Sequence, residues 1–326
     1  MSRAKSTRPQ PVTSCTLAQP MNTSRFDVAQ AIVNTVSYVD VFDYPLTPAE
    51  IHRYLIRLPL TRQDTQHFLH EGGLVPEHLS QRDGLYMLPG REAVAEVRQR
   101  RQEASRELWP AAVAYGHLIA GMPFVRLVAI TGSLSVNNVN RGGDIDYLVV
   151  TANDHLWVSR AFVLLIVRWA ARRGHEVCPN YFLSERALRL SDRSLYTAHE
   201  IAQMVPLYGR RVYDALRQAN DWTREYLPNA AGPPATLRDA ETYLRRLGPS
   251  PNHHLLEATL ATPPGLRLDR WEMRRKIDKF RRVYQGWQES DFSPDMCKGH
   301  FQRHQQKVAA AYAKHALASG KRVGLG

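Results

Sequence analysis

The stretch Phe124–Val150, FVRLVAITGSLSVNNVNRGGDIDYLVV, decides how the chain is read. Val125, Leu127, Ala129 and Ile130 make an apolar run that ends in Gly132-Ser133. Ten residues later Asp144-Ile145-Asp146 opens a second apolar run through Tyr147–Val150. Both runs have the length and residue types of buried strands. On a strand, residues i and i+2 project to one face, so Asp144 and Asp146 point together. Two carboxylates that close repel unless a cation sits between them. Hard oxygen donors suit Mg²⁺, which keeps several waters and completes its shell with phosphate oxygens. Gly132 lets the backbone approach a phosphate, and Ser133 offers it a hydroxyl and an N–H. The pattern points to a metal–nucleotide site with Asp144 and Asp146 as metal ligands and Gly132 and Ser133 on the phosphates.

Working outward, Asn153-Asp154 is expected to cap a helix over His155–Arg173 that ends at Gly174. Leu156, Phe162, Val163, Ile166, Val167 and Ala170 give it the stripe of a helix packed on a sheet. A third strand is expected at about Val177–Leu183. The order β-β-α-β, with acids on the second strand, defines a small α/β core.

Gly132-Ser133 followed after ten residues by Asp144-Ile145-Asp146, set between two apolar strands, resembles the signature of the polymerase-β-like nucleotidyltransferase superfamily. The resemblance covers about Val125 to Leu183. It implies an α/β (α+β) nucleotidyltransferase core with a small mixed sheet. It also implies transfer of a nucleoside monophosphate from a nucleoside triphosphate, ATP first among them, to an acceptor hydroxyl, with Mg²⁺ or Mn²⁺ as cofactor. Family members place a third carboxylate on the strand after the helix. Here that strand carries Asn180, assigned to the nucleotide, while Glu176 at its start is the acid available for catalysis; Glu185 falls beyond its end. Asn holds a metal-bound water but is a poor general base. Two alternatives therefore stay open. One is a catalytically degenerate nucleotide-binding protein that regulates through contact with DNA or protein. The other is a toxin–antitoxin-type enzyme modifying tRNA or protein.

Residues 1–23, rich in Ser, Thr, Pro and Gln, read as a disordered tail. Residues 24–90 read as a winged-helix-like unit. Ala29, Ile32, Val33, Val36 and Val39 give one helix, and Thr47-Pro48-Ala49-Glu50 caps a second. A third runs from Arg62 to His70. Leu74-Val75 and Leu85–Leu88 are expected to pair as a hairpin around Ser80–Gly84. Arg62, Gln63, Gln66 and His67 are the side chains such a unit would offer to nucleic acid, but Asp64 and Glu71 oppose phosphate approach, and the unit reads otherwise as a protein-interaction or packing module. Linking helices over 91–123 are expected to kink or divide at Pro110.

The core domain is assigned to 124–230. Its last part reads as two helices, LYTAHEIAQMVPLYG and RRVYDALRQANDWTREYL, separated by Pro206 and Gly209. In the superfamily resembled, the helix carrying Tyr196, His199 and Glu200 lines the nucleotide pocket. Asn137, Asn138 and Arg141 sit between the two motifs, either on phosphate or base or simply forming the turn. Residues 231–326 read as a basic helical region. Arg270, Arg274, Arg275, Lys276, Lys279, Arg281 and Arg282 are interleaved there with Trp271, Phe280, Tyr284 and Trp287, either a face for a nucleic acid or another acidic acceptor or the solvated and buried faces of one helix. Cys297, His300 and His304 lack a fourth zinc ligand.

The 326 residues carry a net charge of +12, which favours an anionic partner. Three scattered cysteines give no disulfide framework and fit a reducing, cytoplasmic setting. The most apolar segment, Ala161–Val167, is far below the roughly 20 residues of a membrane-spanning helix, so no membrane partner is expected. Walker, GxGxxG and Ser-His-Asp patterns do not occur.

Overall fold

In chain order, the computed structural model runs α1 (Arg25–Asp40), α2 (Pro48–Arg53), α3 (Arg62–Glu71), β1 (Ser80–Arg82), β2 (Leu85–Met87) and α4 (Val94–Ala120). Then come β3 (Val125–Ile130), β4 (Ile145–Thr151), α5 (Leu156–Ala171), β5 (Val177–Ser184), α6 (Leu195–Gln203) and β6 (Val205–Tyr208). The remainder is α7 (Arg210–Ala219), α8 (Thr223–Tyr226), α9 (Leu237–Leu247), α10 (His254–Leu260), α11 (Pro263–Val283) and β7 (Met296–Lys298). The structure describes residues 24–247, 254–283, 292–298 and 306–313. The tail at 1–23, Tyr284, Trp287, His300 and His304 lie outside them.

A mixed five-stranded sheet, in the order β6-β3-β4-β5-β7, forms the middle layer. Strand β3 is antiparallel to β4 and to β6, and β5 is parallel to β4 through α5 and antiparallel to β7. Side-chain parity sorts the two faces. Leu127, Ala129, Leu148 and Val150 join one core with α1, α2, α6 and α7; Val128, Ile130, Tyr147 and Val149 join a second with α4 and α5. Asp144 and Asp146 share the parity of Leu148. They therefore open toward the face roofed by the N-terminal helices and α6.

Both edge strands fall where helix was expected. The segment Val205–Tyr208 is extended: Pro206 disfavours a helix there, and Pro is tolerated on an edge strand. Strand β7 pairs Cys297 with Phe182 and buries the cysteine. Helix α4 runs through Pro110 without being divided there, where a kink or a division was expected. Pro110 and Arg106, whose carbonyl loses its helical partner, both lie at exposed positions, which leaves the carbonyl open to solvent. Asn153 and Asp154 do not cap α5: its N-cap is His155, and both side chains bond Arg186 instead.

The N-terminal unit has three helices and a hairpin, but the hairpin's first strand is Ser80–Arg82 rather than Leu74-Val75. Asp83 and Gly84, at φ 53° and 74°, form the two-residue turn that hairpins favour. Leu74 is buried in the unit's core instead. The unit is locked to α4 through Glu50. Its carboxylate closes the capping box with Thr47 and takes both nitrogens of the buried Arg98, at 2.9 and 2.8 Å. Burial pushes the Glu50 pKa up, but Arg98 and the hydrogen bonds from Tyr44 and Thr47 together outweigh it, and the net shift is downward. Thr47→Ala removes the cap and is expected to cost about 1 kcal/mol, with a lowered melting temperature as the readout.

Candidate functional site

Where β3 ends, the chain makes a turn that only glycine allows. Gly132 adopts φ 62° and ψ −155°, and a Cβ there would fall 3.0 Å from Asp146 Cγ and overlap Oδ2. Asp146 therefore lies directly over the Gly132 backbone. Ser133 begins the 3-10 turn Ser133–Val136, which Ser135 Oγ stitches to the Gly132 carbonyl at 2.7 Å. The ligand atoms of Asp144, Asp146 and Cys178 all lie within 4.8 Å of one another.

The strand register explains what flanks the acids. Cys178 sits opposite Asp146, but Tyr147 pairs with Pro179 and Leu148 with Tyr181, so Asn180 is an extra, bulged residue. The bulge aims its side chain at the site. Asn180 Nδ2 donates a close hydrogen bond to Asp146 Oδ1, and its Oδ1 accepts from the Cys178 thiol at 2.7 Å. Burial and the neighbouring acids push the thiol up to about 12. It stays protonated and fixes the amide's orientation.

Burial raises the Asp146 pKa to about 8, with Asp144 and then Glu200 adding to it. Without a counter-charge, the pair holds a proton near neutral pH. A hard divalent cation between the two carboxylates supplies what that proton supplies. A protonated thiol is no ligand for such an ion, so the donor set that fits Mg²⁺ or Mn²⁺ is the two carboxylates.

These groups line a cavity of about 460 Å³, a size suited to one small molecule. Thr131, Gly132, Ser133, Asp144, Asp146 and Asn180 line it from the sheet, and Tyr196, His199 and Glu200 from α6. Its other wall was not foreseen: Tyr38, Phe42 and Tyr44 come from the N-terminal unit, and Arg101 from α4. Tyr38 stacks on His199 at 4.4 Å. His199 Nδ1 lies 3.0 Å from the Leu195 carbonyl, and burial lowers its pKa to about 4, so it is a neutral wall residue. Arg101 spends its guanidinium on Asn140 and the Phe42 carbonyl, at 2.9 and 2.8 Å. Burial raises the Glu200 pKa to about 7 against the Tyr196 hydroxyl, which bonds it, and Lys298.

Among the other candidates, Asn138 also lines the cavity and the rest do not. Glu176 precedes β5 with an exposed side chain and does not line the cavity, though its charge also raises the Asp146 pKa. Asn137 accepts from Trp109 at 2.7 Å and donates to Asp239, a turn-forming role. Asn138 lines the cavity, with its amide donating to the Phe42 carbonyl at 3.2 Å. Arg141 is 88% exposed and faces Glu107 at 3.8 Å. On α3, Arg62, Gln63, Gln66 and His67 are all exposed. On α11, Met273, Ile277 and Phe280 pack inward, while Trp271 is 58% exposed with Arg275 5.3 Å from its ring.

Comparison with protein-family models, curated proteins and solved structures returned no match. The functional reading rests on the residues themselves.

Proposed function

We propose that the chain is a divalent-metal-dependent nucleotide-binding protein of the nucleotidyl-transfer class. More particularly, it moves a nucleoside monophosphate from a nucleoside triphosphate, ATP first, to an acceptor hydroxyl. The observation that supports this best is Asp146 lying over the glycine-only turn at Gly132, beside Asp144, on the wall of a nucleotide-sized cavity.

Each residue has a role in that reading. Asp144 and Asp146 hold the metal; bound there, Mg²⁺ neutralises phosphate charge and organises the leaving group. Gly132 opens the backbone to the phosphates, and Ser133 presents its hydroxyl and N–H to them. Asn180 holds Asp146 in place through its bond to Oδ1. Among the lining residues Arg101 is the one guanidinium, and its nitrogens are engaged by protein oxygens. Three carboxylates face the same space, so a triphosphate enters only with its cation.

ATP binding is therefore expected to require Mg²⁺. Titration calorimetry should give saturable binding with Mg²⁺ and at least about tenfold weaker binding with EDTA, since each 1.4 kcal/mol of lost attraction is tenfold. Equal affinity in the two conditions would sink the reading. Asn180 in place of a strand acid favours the rival, a protein that binds without turning over. Mg²⁺-dependent binding with no pyrophosphate released across a panel of hydroxyl acceptors is the result that selects it.

A further inference from the structure

The strand position that would carry a third acid is closed to proton transfer: Asn180 has its Oδ1 taken by Cys178 and its Nδ2 by Asp146. A different acidic residue lines the cavity. Glu200 lies on α6, which is set by the Ser194 side chain accepting from Thr197 N at 3.2 Å and by the Tyr38–His199 stack. It lines the same cavity as Asp144 and Asp146 and is near enough to act electrostatically on Asp146. Yet the close donor group among the described residues comprises Asp144, Asp146 and Cys178, without Glu200. An acidic residue that lines the reacting space but stands apart from the donors is placed to meet the attacking group rather than the metal. The Tyr196 hydroxyl bonds the Glu200 carboxylate and restrains it.

We propose that Glu200 of α6 is the catalytic base that takes the proton from the acceptor hydroxyl. This rests on the nucleotidyl-transfer reading above. The acceptor oxygen attacks the α-phosphorus and forms the new O–P bond. The bond from the α-phosphorus to the bridging oxygen breaks, and its electron pair leaves with pyrophosphate. The hydroxyl proton passes to Glu200. The acceptor thus enters on the side of α6, between Glu200 and the Tyr38 and Phe42 wall.

The test uses the full chain, ATP and Mg²⁺, with water and molar glycerol as hydroxyl probes. It measures ATP affinity by calorimetry and pyrophosphate release by a coupled assay. Glu200→Gln still accepts the Tyr196 hydrogen bond and is expected to melt cooperatively as a folded protein and to bind Mg²⁺–ATP within about twofold. Its pyrophosphate release should fall about 100-fold, the lower end of what a positioned base contributes. Glu200→Asp, which keeps the carboxylate, should recover part of that rate. Release by Glu200→Gln at the wild-type rate overturns the proposal. So does a wild-type protein that binds Mg²⁺–ATP but releases nothing to either probe. Failure of the underlying reading shows itself separately, as wild-type ATP affinity indifferent to Mg²⁺.

Discussion

The double variant Asp144→Ala, Asp146→Ala is expected to lose Mg²⁺-dependent ATP binding and to release pyrophosphate at least about 10³-fold more slowly than the wild-type chain. Both side chains leave the same face of β4, and among the described residues no other pair of carboxylates belongs to a close donor group. Binding and release unchanged in that variant would remove the metal–nucleotide reading altogether. The same substitutions have the opposite effect on the metal-free fold. The Asp146 pKa rises from 3.8 to about 8, first through burial and then through Asp144. A carboxyl whose folded pKa lies above its unfolded one favours the native state while protonated. That stability is full below about pH 4 and is lost as pH rises through about 8. In EDTA the wild-type melting temperature should therefore fall across this window. Asp146→Asn should flatten the fall and gain about 1–3 kcal/mol at its alkaline end, the scale of relieving one poorly compensated buried group. Mg²⁺ should restore the wild-type protein and leave the Asn variant nearly unmoved. A melting temperature that climbs with pH in EDTA would mean that Asp146 is not strained by its surroundings.

How much of this was legible in the sequence follows from the range of the forces involved. Strands β3 and β4, helix α5 and strand β5 are dense apolar patterns of the right period, and their order could be read directly. The Thr47–Glu50 capping box is a local signal and stands where it was read. The edge strands β6 and β7 are only four and three residues long. Their extended form comes from pairing with β3 and β5, partners distant in sequence. The bulge at Asn180 belongs to the same class, because it exists only in register with β4. For that reason Asn180 could be seen as a missing acid but not as a residue bonded to Asp146. The roof of the cavity was hidden for a third reason. Residues 24–90 read as a separate unit with an exposed recognition helix. Docking through Glu50 and Arg98, however, turns Tyr38 and Phe42 toward the acids. Parity supplied one usable clue. Asp144 and Asp146 share the side of Leu148 and Val150, so whatever covered those two also had to cover the site.

Gly132→Ala is expected to damage fold and site together. The conformation at φ 62° and ψ −155° is one that side chains avoid, at a cost of about 1–3 kcal/mol. The added Cβ would also overlap Asp146 Oδ2, and the obstacle is not a free side-chain end. Asp146 is tied by Asn180, and Asn180 is tied in turn by Cys178. Moving the carboxylate aside breaks the first of these bonds and separates Asp146 from Asp144. Rotating the Gly132 peptide instead pulls the Ser133 turn away, since Ser135 Oγ and Ser135 N both bond the Gly132 carbonyl, at 2.7 and 3.2 Å. Either relaxation removes one half of the proposed site. The expected result is a melting temperature lowered in EDTA by several degrees, together with at least about 100-fold weaker Mg²⁺–ATP affinity, since one misplaced ligand group is worth about 2.7 kcal/mol or more. Thermal melts with and without Mg²⁺, set beside calorimetry, separate the two losses. Lowered stability with wild-type Mg²⁺–ATP affinity would mean that the turn serves the fold alone, and that the approach of Asp146 to Gly132 has no part in holding a nucleotide.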